Sequence, residues 1–181
     1  MNKLPKELQN IIQEYRTGYV IIYIRHGRTH TLTMKNNIIN IPDDIRHLCT
    51  KIYSINTLYI TEPGAFSDCI ALRKIDIEGL DITQVNDLSD TFNGCRSLMG
   101  IDKLISRWNV GHIIDFKRAF RNTRKLPDTL DLSKWDVYNC YNMSTMFYGS
   151  NLSTQSKNLI KNNWQVKPST GTYRMFPFNN L

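Results

Sequence analysis

Five phenylalanines, Phe66, Phe92, Phe120, Phe147 and Phe176, fall 26, 28, 27 and 29 residues apart, and this period constrains the fold more than any other feature. Leu72, Leu98, Leu126, Leu152 and Leu181 follow them at gaps of 26, 28, 26 and 29. A third ladder runs Leu80, Trp108, Trp135 and Trp164, at gaps of 28, 27 and 29. Three ladders with one period make an internal repeat. A unit of this length is one supersecondary element that cannot bury its apolar face alone, so neighbouring units must stack.

The clearest unit is Leu126–Leu152, which carries Leu130-Asp131-Leu132, Trp135-Asp136-Val137, Asn142-Met143 and Phe147-Tyr148-Gly149. Alternation in Leu130-Asp131-Leu132 predicts a short strand with one buried face. Asp87, Asp115 and Asn142 each stand five residues before a Phe. Asp and Asn oxygens accept orphan backbone N–H groups, so these positions predict helix N-caps. Two residues after each Phe comes Asp68, Gly94, Asn122 or Gly149, residue types suited to the left-handed conformation that closes a helix. Each unit is therefore expected to be a strand, a turn and a helix of one or two turns.

The string L-D-L-S-x-W-D-V…N-M-S-x-M-F-x-G in residues 130–149 resembles the BspA-like leucine-rich repeat family of bacterial surface proteins, protist proteins and large DNA viruses. The resemblance implies a recognition protein without chemistry of its own. The expected fold class is α/β: a leucine-rich-repeat-like solenoid of short strands and short helices, capped by an N-terminal helix and strand. Residues 1–57 would form that cap, continuous with the array, and residues 58–181 about four repeats, the last degraded because Phe178 fills its Gly slot. The early unit is shortened on its turn side, since Ile60 stands six residues before Phe66 while Leu132 stands fifteen before Phe147. Short strands are also expected at Ile38–Pro42 and Leu58–Ile60, and the aromatic tail Met175–Phe178 is expected to plug the last repeat or contact another chain.

At 181 residues, 41% hydrophobic and 22% charged, the composition is that of a globular domain. The longest apolar run, Val20–Ile24, is far shorter than the ~20 residues of a membrane span. No secretory signal is visible, so an intracellular (cytoplasmic) or virion-associated setting is expected. Cys69 and Cys95 share the slot three residues after Phe, which Thr123 and Ser150 fill later, and Cys140 takes the slot of Val85 and Ile113. They are expected as small reduced core residues. No metal or cofactor is expected.

The net charge of +7 is uneven. Residues 61–98 hold 3 basic and 7 acidic side chains, and residues 99–126 hold 7 and 2. The peak comprises Lys117, Arg118, Arg121, Arg124 and Lys125, a candidate patch for an acidic or phosphate-bearing partner, with Lys117, Arg118 and Arg121 expected on one exposed helix face and Phe116 and Phe120 turned inward. The competing reading is a solvated face beside the acidic repeat before it.

Near the N-terminus, Pro5 and the spacing of Leu8, Ile11, Ile12 and Tyr15 predict an amphipathic helix, which Gly18 would stop. Residues 4–15 resemble the first helix of an F-box, which implies docking to a Skp1-like adaptor of a ubiquitin ligase; the plainer expectation is a helix capping the array. Tyr19–Ile24 reads as a buried strand. Arg25-His26-Gly27-Arg28-Thr29 after it resembles the R-H-G-x-T of histidine phosphatases. There His26 would accept the phosphoryl group and Arg25 would hold the phosphate. That chemistry needs a second histidine, for which only His47 and His112 stand at a distance, and His26 with His30 lacks a third metal ligand. The function expected is recognition of another protein, with the adaptor and the phosphatase as alternatives.

Overall fold

The computed structural model describes residues 18–128 and 130–164, together with Lys6 and Asn10. The helix expected over residues 4–15, with its F-box likeness, lies outside the described residues except for Lys6 and Asn10, and so do Phe176, Leu181 and the aromatic tail.

A four-stranded mixed sheet in the order β2-β1-β3-β5 occupies the N-terminal part. It comprises β1 (Tyr19–Arg25), β2 (Arg28–Met34), β3 (Cys49–Tyr53) and β5 (Lys74–Asp76). β1 pairs antiparallel with β2 and β3, and β3 pairs parallel with β5. Strands β4 (Thr57–Tyr59) and β6 (Gly79–Asp81) form a separate parallel pair. The four-residue helices α1 (Asp43–Arg46) and α2 (Asp102–Ile105) and the ten-residue α3 (Thr154–Asn163) follow, and Lys6 and Asn10 are helical as well. Tyr19 ties the sheet to the chain that follows: its hydroxyl donates to the Asn40 carbonyl at 3.0 Å and accepts the Asn40 N–H at 2.7 Å.

The expected α/β leucine-rich-repeat-like solenoid is corrected. What forms is a small mixed-sheet structure with few helices, and the repeats contribute turns rather than strand–helix units. From Ile82 to Leu152 the described residues hold no strand and only one four-residue helix. Leu130-Asp131-Leu132 is not a strand, and Ile38 makes only an isolated bridge to Tyr59. The strands β1 and β4 do coincide with the apolar runs that predicted them.

The backbone of the turns explains the missing helices. Each unit holds two left-handed positions four residues apart: Gly64 and Asp68, Asp90 and Gly94, Arg118 and Asn122, Thr145 and Gly149, with φ between 52° and 78°. Two such residues flanking a Phe break any α-helical register. Freed from a helix, the N–H groups pair with the next unit. Gly64, Phe66 and Asp68 donate to the carbonyls of Ser89, Thr91 and Asn93; Asp90, Phe92 and Gly94 to Lys117, Ala119 and Arg121; Arg118, Phe120 and Asn122 to Ser144, Met146 and Tyr148. These nine bonds span 2.7–3.0 Å. Side chains alternate in the second left-handed slot to match: the Asp68 carboxylate lies over Gly94, and the Asn122 amide over Gly149, where a Cβ would collide with it.

The rings lie in the same register. Phe66, Phe92, Phe120 and Phe147 stack at centroid distances of 5.0, 5.5 and 5.5 Å, all essentially buried. Trp108, Trp135 and Trp164 stack beside them at 6.1 Å per step. Buried indole N–H groups need acceptors. Trp108 donates to the Leu80 carbonyl at 2.8 Å, Trp135 to Ile105 at 3.2 Å, and Trp164 to Leu132 at 2.8 Å.

Arg46 closes the first end. The Nη1 group donates to the carbonyls of Gly64, Ala65 and Ser67 at 3.2–3.4 Å, and Nη2 to Ile41 at 2.9 Å. Ala65 and Ser67 match Thr91 and Asn93, whose carbonyls accept from a preceding turn; the guanidinium stands in for that turn.

Phe120 touches a ring on both faces, so Phe120→Ala removes two stacking contacts and opens a cavity. Urea unfolding should show a loss of about 3–5 kcal/mol; an unfolding curve superimposable on the parent's would show that the ring column does not hold the turns together.

Candidate partner-binding surface

The cation-rich segment begins at Asp115, one rung of a column formed by Asp87, Asp115 and Asn142. These residues do not cap helices as expected. Each side chain accepts the N–H two residues on, Asp87 from Ser89, Asp115 from Lys117 and Asn142 from Ser144, at 2.6–3.2 Å. That is the Asx-turn alternative to a helix cap. The column is joined by parallel bridges from Asp87 to Asp115 and from Asp115 to Asn142. Asp115, 9% exposed, also accepts the Asn142 amide at 3.0 Å. Burial raises its carboxyl above the ordinary aspartate value of 3.8, and the neighbouring Asp87 adds to the rise.

Beyond Asp115 the five candidate cations divide. Phe116 and Phe120 are buried as expected, but the segment is a turn and not a helix. Arg118, at φ 57°, reaches back one unit and clasps the Asp90 carboxylate with Nε and Nη2 at 2.8 and 2.7 Å. Asn93 donates to the same carboxylate at 2.9 Å. Arg118 is thus neutralised within the fold. Arg121 reaches forward, its guanidinium 5.5 Å from the Tyr148 ring centroid, with Nε buried and unbonded. Lys117, Arg124 and Lys125 are exposed, and no ion pair involves them among the described residues.

The next unit adds a neutral surface. From Tyr138 to Asn151 no residue is charged, and every residue not buried is Tyr, Asn, Ser, Thr or Gly. Tyr138, Tyr141 and Tyr148 are 44%, 53% and 45% exposed. Sequence patterning missed both this surface and the Asp90–Arg118 clasp. The signal for the clasp was present, since Asp90 and Arg118 hold the same slot in successive repeats.

Arg25 and His26, the residues of the phosphatase-like alternative, lie at a strand end and in the turn that follows it. The string is a β-hairpin: Arg25 pairs with Arg28 across His26 and Gly27, both at positive φ (51° and 72°), as a two-residue turn requires. Arg25 is engaged by Asp44, to the carboxylate at 3.1 Å and the carbonyl at 3.4 Å. His26 is exposed at the turn. His30 stacks on Tyr23 at 5.2 Å, and His112 donates to the Ile82 carbonyl at 3.1 Å. Among the described residues no cluster of three His, Cys, Asp or Glu could hold a metal. All four cysteines are buried. Burial pushes the Cys49 thiol up to about 12 and those of Cys69 and Cys95 well above their ordinary range, the opposite of an activated thiolate. Among the described residues no helix is long and apolar enough to cross a membrane.

The region of stacked turns is also where similarity to other proteins lies. The family model described as "Mycoplasma protein of unknown function, DUF285" matches residues 63–180. The chain belongs to the DUF285 family. The DUF285 match starts one residue before Gly64, the first left-handed position of the ladder, and leaves out the hairpin β1–β2. No curated protein and no solved structure matches.

Asp115 supplies a pH test. With its folded value above 3.8, the stability tied to its protonated form is fully present below 3.8 and is lost as pH rises through the raised value. Asparagine holds this slot in the next unit, so Asp115→Asn should melt increasingly above the parent as pH rises from acid to neutral. Parallel melting profiles would mean that burial does not penalise the ionised carboxylate.

Proposed function

We propose that this DUF285 chain is a protein-recognition module, without chemistry of its own, that engages an acidic partner through residues 117–125 and the tyrosine-bearing surface beside them. The observation that carries the reading is the division of labour among the five cations. Asp90 satisfies Arg118, whereas Lys117, Arg124 and Lys125 stay exposed without an ion pair among the described residues. Arg121, laid against Tyr148, is ordered before any partner arrives. A guanidinium fixed in this way loses less freedom on meeting a carboxylate.

The neighbouring surface supports the same reading. Tyr and Arg dominate binding hot spots, and Tyr, Asn, Ser and Gly are what recognition loops use to combine rigid contact area with adaptable hydrogen bonding. The likeness of residues 130–149 to BspA-like repeat proteins also favours recognition.

The test is affinity capture from the native source, with the full chain as bait beside a Lys117→Glu/Arg124→Glu/Lys125→Glu variant. None of these three cations forms an ion pair within the described fold, and because Lys117 stands near Asp115 the variant's melting profile is recorded beside the parent's to check that the fold is kept. Acidic proteins should be retained by the parent at low salt, released as salt rises and lost from the variant. Identical capture by both chains at all salt concentrations would refute the cationic surface. A phosphate-ester hydrolysis that His26→Ala abolishes would refute the absence of chemistry.

A further inference from the structure

The hairpin outside the DUF285 match ends in an edge strand whose outer side no described residue pairs with. In the order β2-β1-β3-β5, β2 has a neighbour on one side only. The closing pair of a two-residue hairpin exchanges both of its hydrogen bonds, and such pairs alternate along the ladder. Arg28, His30, Leu32 and Met34, opposite Arg25, Tyr23, Ile21 and Tyr19, therefore point their backbone groups at β1. Thr29, Thr31 and Thr33 point theirs outward. No backbone hydrogen bond among the described residues reaches those outward groups, and Arg28 to Thr31 are exposed.

Natural edge strands are blunted by lysines, prolines, bulges or short length. Apart from the single charge of Arg28 at its start, β2 carries none of these defences among the described residues: it runs seven residues, contains no Lys or Pro, and pairs with β1 in unbroken register. The β-bulge of the sheet lies on the other side of β1, between Ile22 and Tyr23 where β3 pairs. A strand of this kind is a template for one more strand.

We propose that the occupant is β2 of a second copy, paired antiparallel about Thr31 to give a two-fold dimer with a continuous eight-stranded sheet. The sequence of the edge is what selects a second copy. With Thr31 on the axis, Thr29 stands opposite Thr33 of the second copy, so all three outward positions meet their own residue type. His30 meets Leu32, and Arg28 meets Met34. The strand's one charge thus never faces its like, the arrangement that would disfavour pairing. The contact lies on the sheet and is separate from the recognition surface at residues 117–125.

Sedimentation over a range of concentrations, with amide exchange on the same samples, tests this. The chain should move from 21.1 kDa to twice that mass as concentration rises. Since each copy carries +7, added salt should favour the dimer, the opposite of its effect on an acidic partner. The amides of Thr29, Thr31 and Thr33 should become protected in step with the dimer. Thr31→Pro deletes an outward N–H and leaves the bonds to β1 intact, so it should stay at 21.1 kDa with its fold retained, while Thr31→Val should dimerise. Should Thr31→Pro fail to fold, exchange in the unaltered chain decides the matter. A chain that remains at 21.1 kDa throughout overturns the proposal and leaves the edge to an extended segment of another protein. A dimer that forms with the three threonine amides still exchanging freely overturns it as well.

Discussion

Backbone hydrogen bonds passed from one Phe-centred turn to the next are the interaction on which the structure depends. A buried N–H without an acceptor costs about as much as a lost hydrogen bond, and each turn satisfies only alternate donors internally, as Ser67 does with Gly64 and Cys69 with Phe66. The Gly64, Phe66 and Asp68 donors find acceptors only because a copy of the same turn lies alongside. The rings follow from this geometry: equivalent phenylalanines on successive turns come within 5.0–5.5 Å, a stacking distance, and lysine or serine there would leave the column hollow. Arg46 shows the same constraint at the first turn, where a guanidinium replaces the missing neighbour.

The ladder also sorts side chains into columns, and each column has its own chemistry. The Asp87–Asp115–Asn142 column is half-buried and holds turns in place through its side-chain oxygens. The column of Gly64, Asp90, Arg118 and Thr145 places opposite charges one step apart, and these cancel. The column of Ser67, Asn93, Arg121 and Tyr148 sets a cation on an aromatic face. What remains exposed and unpaired at residues 117–125 is therefore a residue of this sorting, and it falls next to the uncharged tyrosine-rich unit. The residues of the proposed recognition surface lie at the later turns, while the earlier ones adjoin the sheet.

The period and the slots were legible in the sequence because stacking demands like residues at like positions. The phenylalanine and tryptophan ladders stack in the register their spacing implies as far as Trp164, and the Cys69/Cys95/Thr123/Ser150 slot is a small-residue position. In it Cys95, Thr123 and Ser150 each bond a phenylalanine carbonyl. Conformation within a unit was not legible, since Asp or Asn before a short apolar run caps a helix and an Asx-turn equally well. Left-handed Arg118 and Thr145 carried no compositional warning, because only glycine and, less often, asparagine and aspartate favour that region. The Arg25–Thr29 string shows the same limit of short strings: His26-Gly27 serves a hairpin turn, and local likeness to a catalytic motif does not include the distant groups such a motif needs.

Through-hydrogen-bond scalar couplings between amide nitrogen and carbonyl carbon test the ladder most directly. Couplings should appear from Phe66 to Thr91, from Phe92 to Ala119 and from Phe120 to Met146, the pairs bonded at 2.8–3.0 Å. Absence of all three, with these amides exchanging as fast as solvent-exposed ones, would contradict the stacked-turn ladder on which the fold of the repeats and the proposed recognition surface rest.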